Sequence, residues 1–518
     1  MTNRVDGLLR QSREGGDKVA IRFGNCTISF AELAEQVQKA AGGLRLLGIG
    51  AGTRVGIMMP CQPEFVIVQQ ALFLLGATVS PINVYYRPAE LAHAVRTCDL
   101  HYVVLASDLR DRLPLHLRQD MPDLLDAITI DSEADEPGFR SLPRASHAAA
   151  PVLEPVPVAA DDIAMLLNTS ATTGKSKGVM LTAGNLAANY DRTPGWLNLG
   201  RADVILCALP LYNTFGLNQC INAMTSTGAT LVLLPRFDAG KCMDAIRRHA
   251  CTFLPAVPTM LQKILDEPGQ SAHALASLRL IMTGGAPVPA AMLARLKKVL
   301  DPAARVVTGY GLTEATALVT LADVELGPDG AVVRGRTIGR VLDGMWLGVA
   351  DDHGRVLAAG ETGEFVIRGP NLMKGYFQSP DDTSVALAGG MLHTGDIGYL
   401  DADGYAYIVD RKKDVIIRGG QNIYPADIEE VLYGVSGVAE VGVVGIDDPL
   451  LGEVPIAYVA LAPGIELTGE TLLARCREEL APYKLPAAIR FMAELPKGPT
   501  GKILRRELRG QTAPASPP

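Results

Sequence analysis

Short apolar runs separated by helical stretches recur along most of the chain, and this alternation constrains the fold more than any other feature. Arg54-Val-Gly-Ile-Met-Met59 reads as a buried strand and Glu64–Leu75 as a buried helix. Strand-like runs return at Val204–Leu209, Thr230–Leu234 and Leu278–Met282, with helical spacing between them. Ser29 and Glu32 open a further helical stretch with a capping-box spacing. Such alternation predicts a parallel α/β layout. Gly48-Ile-Gly-Ala-Gly52 precedes the first strand but breaks the G-x-G-x-x-G spacing of a dinucleotide loop, so a turn is expected there.

At 518 residues the chain exceeds one domain of ~100–200 residues. From about residue 335 the pattern changes to short strands punctuated by Gly and Asp, as in Gly363–Arg368 and Gly398–Tyr405, which suggests a β-rich subdomain over 335–410. The charged run Asp410-Arg-Lys-Lys-Asp414 marks a boundary, although from composition alone a solvated turn within one domain reads equally well. Beyond it come a helix (Pro425–Tyr433), two strands (Val438–Ile446, Ile456–Leu461) and a helix (Thr468–Leu480). The domains expected are therefore 1–410 and 411–509, followed by a Pro/Ala/Ser/Thr-rich tail at 510–518. Residues 117–160 read as irregular surface segments.

The net charge of −8 supplies no basic field for a polyanion, so no nucleic acid is expected. The longest apolar stretch, Ala71–Val79, is well short of the ~20 residues of a transmembrane helix. Asp6, Glu14 and Asp17 interrupt the first segment, no signal peptide is visible, and a cytoplasmic location is expected. The eight cysteines form no Cys-x-x-Cys pair and read as buried thiols. The eight histidines show no zinc-ligand spacing, so any metal would be a hard cation held by carboxylate and phosphate oxygens.

Chemistry concentrates first in Met165-Leu-Leu-Asn-Thr-Ser-Ala-Thr-Thr-Gly-Lys-Ser-Lys-Gly-Val179. Small residues let backbone N–H groups approach a polyphosphate, hydroxyls donate, and a lysine supplies charge; a polar hairpin loop has the same composition. A Walker P-loop is excluded, because Thr169 stands where its first glycine belongs and a strand follows where that motif needs a helix.

Thr169 to Gly178 resembles the Thr-Ser-Gly-Thr-Thr-Gly-x-Pro-Lys-Gly phosphate loop of the adenylate-forming superfamily, which includes acyl- and aryl-CoA synthetases, adenylation domains and luciferases. Thr283-Gly-Gly-Ala-Pro287, Tyr310-Gly-Leu-Thr-Glu314, Thr394-Gly-Asp396, Asp410–Asp414 with Gly419–Pro425, and Gly501-Lys502 match further signatures in the family's order. The resemblance implies an α/β fold: a large N-terminal domain of α/β layers with a β-rich subdomain, plus a small mobile α+β C-terminal domain. It implies ATP, Mg²⁺ and coenzyme A, and an acid–thiol ligase that forms an acyl-adenylate and then a thioester.

By the same match, Thr169, Ser170, Ala171, Thr172, Thr173, Gly174 and Lys177 cradle phosphates, and Gly285, Ala286, Pro287, Tyr310 and Gly311 contact the adenine side. Thr313 bonds the α-phosphate, Glu314 holds Mg²⁺, Asp396 accepts the ribose hydroxyls and Arg411 fixes the ribose. Lys502 bridges carboxylate and α-phosphate; Lys413 is the pivot about which the small domain rotates, and Arg418, Gly419 and Gly420 guide the thiol. Tyr212, Asn213, Phe215, Gly216, Gly284 and Gly309 line the acyl site. None of these is charged and the glycines suggest room, which favours a medium-to-long fatty, alicyclic or aryl acid over acetate or an amino acid.

The chain departs from the family at Ala171 (for glycine), Ser176 (for proline) and Asn213 (for histidine). Alanine disfavours positive φ, and asparagine cannot carry the histidine's charge. Two alternatives follow: an adenylating enzyme that loads a separate acyl-carrier protein, or a degenerate nucleotide- or acyl-binding protein. A homodimer is left open.

Overall fold

In the computed structural model, which describes residues 3–118, 121, 123–169, 176–267, 272–286, 288–497 and 503–510, the expected cap is formed at Ser29. The Glu32 N–H donates to Ser29 Oγ at 3.2 Å and the Ser29 N–H to Glu32 Oε2 at 2.7 Å, starting the helix Phe30–Leu46. Helix Pro63–Leu74 is buried almost throughout, as its unbroken apolar run requires. Gly48 and Gly52 occupy a turn.

The chain forms two compact units, Met1–Leu347 with Ile367–Leu392, and Gly348–Val366 with His393–Pro518. In the first unit the strands Thr230–Leu233, Val204–Cys207, Phe253–Ala256, Leu280–Gly284 and Arg305–Gly311 run parallel in that spatial order. Helices Ala239–His249, Pro258–Asp266 and Ala290–Val299 cover them through Ile246, Leu261, Ile264, Leu293 and Leu296. Each such side chain taken from water contributes roughly 1.5–3 kcal/mol. A second sheet of this unit is built around parallel Arg54–Met58, Thr78–Pro81, Tyr102–Leu105 and Asp126–Thr129, with the antiparallel pair Ile163–Asn168 and Gly178–Thr182.

In the second unit, alternate residues of the antiparallel strands Val438–Asp448 and Gly452–Leu461 serve two cores. Val441, Val443, Ala457 and Val459 face Ile428, Leu432 and Leu472, while Val444, Ile456 and Tyr458 face Leu495 and Leu508. Helix Pro425–Tyr433 has the bounds expected from the sequence.

Two expectations need correction. The stretch 117–160 is not simply surface: Asp126–Thr129 is a sheet strand with Ala127 and Ile128 fully enclosed, and Leu142–Ala148 is helical. Cys26 is exposed, whereas the other seven cysteines are buried thiols. Gly398 to Tyr405 holds the end of strand Leu392–Leu400, a turn over 401–404 and the start of strand Tyr405–Arg411, the Gly- and Asp-punctuated pattern expected.

Candidate active site

Thr169 and Lys177 flank the segment expected to hold phosphates, with Thr169 N–H donating to the Lys177 carbonyl at 3.0 Å and the strand pair beginning at Asn168 and Gly178. The strand after Lys177 is the feature that separates this loop from a Walker motif. Ser170, Ala171, Thr172, Thr173 and Gly174 lie outside the described residues, as do Pro287 and Lys502. The Lys177 ammonium sits 2.7 Å from Asp382 and 4.8 Å from the centroid of the Tyr376 ring. That hydrogen bond holds the Asp382 carboxyl below its usual range.

Tyr376 also reaches the other phosphate-side group. Its hydroxyl donates to Glu314 Oε1 at 3.0 Å, so Lys177 and Glu314 are joined through one phenol. Burial, then the Glu314 charge, pushes the phenol pKa up, which keeps the donor proton in place. The turn Thr313–Ala315 is strapped by the same segment: Met373 N–H donates to the Glu314 carbonyl at 2.8 Å, and Asn371 Nδ2 to the Ala315 carbonyl at 3.0 Å. Thr316, which ends the turn, has φ +70°, an outlier for a β-branched residue, and its hydroxyl donates to the Asn371 carbonyl at 2.6 Å. Tyr376, Asp382 and Asn371 were missed by sequence reasoning, since only the tertiary fold brings residues 62 apart into contact.

A prediction follows for Tyr376→Phe. Losing a hydrogen bond to a carboxylate costs ~1.5–3 kcal/mol, so kcat/KM should fall about tenfold to a hundredfold. The fall should come with weaker Mg²⁺ dependence, measured by titrating Mg²⁺ at fixed ATP. An unchanged Mg²⁺ profile would show that Tyr376 is structural only.

Among the described residues no group of three or more His, Cys, Asp or Glu side chains could hold a metal. A lone half-buried Glu314 instead suits Mg²⁺, which keeps waters and draws further ligands from substrate phosphates.

Asn213 caps the helical turn Thr214–Gly216, its side-chain oxygen accepting from Gly216 N–H at 3.1 Å. This gives asparagine a structural reason at that position, since it is a strong N-cap residue. The helix continues through a π-helical turn, Leu217–Asn222. Phe215 packs on the core cluster beneath the parallel strands, and Tyr212 stays neutral because burial, with Tyr85 and Tyr86 near it, raises its pKa.

The glycines do not leave the room that the sequence suggests. A methyl group at Gly216, Gly284 or Gly311 would collide with the carbonyl oxygen of Pro210, Gly309 or Ala317 respectively. One at Gly309 would meet Met282 Cε at 2.9 Å. These glycines serve close backbone packing, and Gly284 and Gly309 are register partners on adjacent strands. Gly285 is exposed at φ +78° with open space beside it, Ala286 is half-buried, and Tyr310 is buried.

Within the second unit, Asp396 and Arg411 are cross-strand partners, with Arg411 Nε 2.8 Å from Asp396 Oδ1. Asp396 is 3% exposed, so the ion pair supplies a partner for a buried carboxylate at the position expected to meet a ribose. Lys413 is half-buried, and burial lowers its pKa. Arg418 donates to the Tyr483 carbonyl at 2.8 Å. Gly419 and Gly420, at φ +57° and +81°, form the two-residue turn between Ile416–Arg418 and Gln421–Ile423, a primed hairpin turn that glycine adopts without strain.

The AMP-binding enzyme family matches residues 8–377, and the AMP-binding enzyme C-terminal domain matches residues 427–502. A feruloyl-CoA synthase from Amycolatopsis sp is 35% identical over 97% of this chain and 97% of its own. A long-chain-fatty-acid–CoA ligase from Bacillus subtilis is 33% identical over 95% of this chain and 91% of its own. Among solved structures, o-succinylbenzoate CoA synthetase from Bacillus subtilis, in complex with its acyl-adenylate intermediate, superposes with a TM-score of 0.85. It is 30% identical and is covered over 97% of both chains.

Proposed function

The chain belongs to the AMP-binding enzyme family and is an AMP-forming acid–thiol ligase using ATP, Mg²⁺ and coenzyme A, and on that premise we propose that its acid is a medium- or long-chain fatty, alicyclic or aryl carboxylic acid. The observation that carries this is the absence of any charged side chain among Tyr212, Asn213, Phe215, Gly216, Gly284, Ala286, Gly309 and Gly311. An ammonium or second carboxylate on the substrate would lose its hydration there without gaining a partner. Relatives named for feruloyl and long-chain fatty acids support the same class.

In the proposed mechanism Lys177, Thr169 and the 170–174 loop hold the ATP phosphates, with Thr313 on the α-phosphate. Glu314, oriented by Tyr376, holds Mg²⁺, which neutralises charge on the phosphates when bound. Asp396 accepts ribose hydroxyls while Arg411 keeps that carboxylate oriented. Lys502 binds the carboxylate and α-phosphate together as the acyl-adenylate forms and pyrophosphate leaves. The small domain, 411–509, then turns about Lys413, and Arg418 to Gly420 guide the thiol. Among the described residues no helix is long and apolar enough to cross a membrane. A cytoplasmic location is part of the proposal, supported by seven buried cysteines kept as thiols.

The test is kcat/KM for acetate, octanoate, palmitate, benzoate, a hydroxycinnamate and a β-amino acid, with coenzyme A as thiol. An apolar or aryl acid should lead; acetate or the amino acid leading refutes the substrate class. Substituting a phosphopantetheinyl carrier protein for coenzyme A identifies the acceptor.

A further inference from the structure

One buried nucleophile cluster has no part in this mechanism. Cys61 lies just beyond the strand Arg54–Met58 of one sheet, and Cys207 ends the strand Val204–Cys207 of the other. Their sulfurs are 3.6 Å apart, although 146 residues separate them in sequence. Cys220, on the π-helical turn, is hydrogen-bonded to Cys207 as well. Cys207 and Cys220 are fully enclosed, and Cys61 is buried at 6% exposure.

We propose that Cys61 and Cys207 are an oxidation site that closes to a reversible disulfide in the presence of a hydroperoxide, slowing the ligase. A disulfide needs its sulfurs about 2.05 Å apart, so the pair must approach by roughly 1.5 Å. The segment that must give is short: Pro210 to Gly216, which carries Tyr212, Asn213 and Phe215, starts three residues after Cys207. Cys207 Sγ already reaches the Leu209 carbonyl at 3.8 Å. Closing the bond would tether this segment to the other sheet.

The chemistry balances with one equivalent of peroxide. The sulfur of Cys207 attacks one oxygen of hydrogen peroxide and keeps it as a sulfenic acid, while the O–O bond breaks and the other oxygen leaves as water. The sulfur of Cys61 attacks the sulfenic sulfur, the S–S bond forms as the S–O bond breaks, and the retained oxygen leaves as a second water. Both thiol protons end in water; two sulfurs are oxidised and the peroxide is reduced. Hydrogen bonds from Cys220 and Cys61 favour the Cys207 thiolate over the other two, which suits it to the attack on peroxide. A cytoplasmic disulfide of this kind is expected to be transient and redox-sensing.

The experiment treats the full chain carrying Cys26→Ser, which removes the exposed thiol, with hydrogen peroxide, then alkylates, digests without reductant and maps peptides. The expected product joins the Cys61 and Cys207 peptides and is two hydrogens lighter than their sum. ATP–pyrophosphate exchange with the best acid should fall about tenfold or more as the link accumulates, because small displacements of positioning groups cost that much. Dithiothreitol should restore it, and Cys61→Ser should exchange normally without peroxide and form no such link with it. The proposal is overturned if both thiols are alkylated at a peroxide dose that oxidises Cys26 in the unsubstituted chain. It is equally overturned by a Cys207–Cys220 link, or by a Cys61–Cys207 link with full exchange. The rate effect rests on the ligase reading, whereas the peptide map reports the disulfide whichever acid is the substrate.

Discussion

Lys502→Ala is expected to abolish acyl-adenylate formation while sparing thioester formation from a supplied acyl-adenylate. The lysine would place one cation against both the incoming carboxylate and the α-phosphate, where negative charge must be brought together. Removing a single group of this kind costs about 10²–10³ in rate, or ~3–4 kcal/mol, and loss of a full charge should reach the upper end. The thiol step is proposed to occur after the small domain has turned, with Lys502 withdrawn, so its rate should stay within about twofold. Rapid-quench measurement of the two half-reactions separates them. Lys497 is the appropriate control: it lies close in sequence and pairs with Glu440 and, at 2.9 Å, with Glu494. Lys497→Ala should lower stability without distinguishing the half-reactions. Equal loss of both half-reactions in Lys502→Ala would contradict domain alternation, and selective loss in Lys497→Ala would move the assignment.

What could be read from the sequence divides by the range of the interaction. Ser29 with Glu32, and Pro425 starting its helix, are local signals, and both were legible. The strands that flank residues 169–177 were legible because each is a contiguous apolar run in the chain. Asp126–Thr129 was not, since only Ala127 and Ile128 are apolar and its strand character comes from pairing with Tyr102–Leu105. Tyr376 carries no local mark of its role; its donor to Glu314 exists only once folding has brought together residues 62 apart in the chain. The glycines misled for a related reason. Absence of a side chain is visible in sequence, but whether ligand or protein fills the space depends on neighbours such as the Gly309 and Ala317 carbonyls. Asn213 looked like a departure that weakens catalysis, and the structure adds a capping role that composition could not rank.

The largest effect on stability is expected from Arg505→Met. One terminal nitrogen of the guanidinium donates to both oxygens of Glu429, at 2.8 and 2.9 Å, and the other terminal nitrogen lies 3.1 Å from Asp410 and 3.2 Å from Asp414. Those side chains are 13%, 2% and 10% exposed. One arginine therefore joins the charged run after Tyr405–Arg411 to helix Pro425–Tyr433 and to its own helix, Arg505–Gly510. Burial raises the pKa of Asp410 and of Glu429, and Arg505 pulls both back down. Methionine fills similar volume but removes this cation from buried Asp410 and Glu429, while Asp414 keeps Arg509 at 3.1 Å, at a cost of ~3–5 kcal/mol. The pH dependence has a definite sign. A carboxylate whose pKa is raised by folding binds its proton more tightly in the native state, so the stability it contributes is complete below the unfolded value and lost as pH rises through the folded one. Removing Arg505 raises both folded values further, so the variant's deficit should be greatest near pH 8 and shrink toward pH 5. Urea unfolding of the full chain, followed by hydrogen exchange in Val438–Asp448 and Gly452–Leu461, measures it at both pH values. Arg505→Lys keeps a charge but loses the fork, and should fall between the two. A deficit that does not change with pH would mean that the carboxylates have found other partners, and that Arg505 organises the unit by packing rather than by charge.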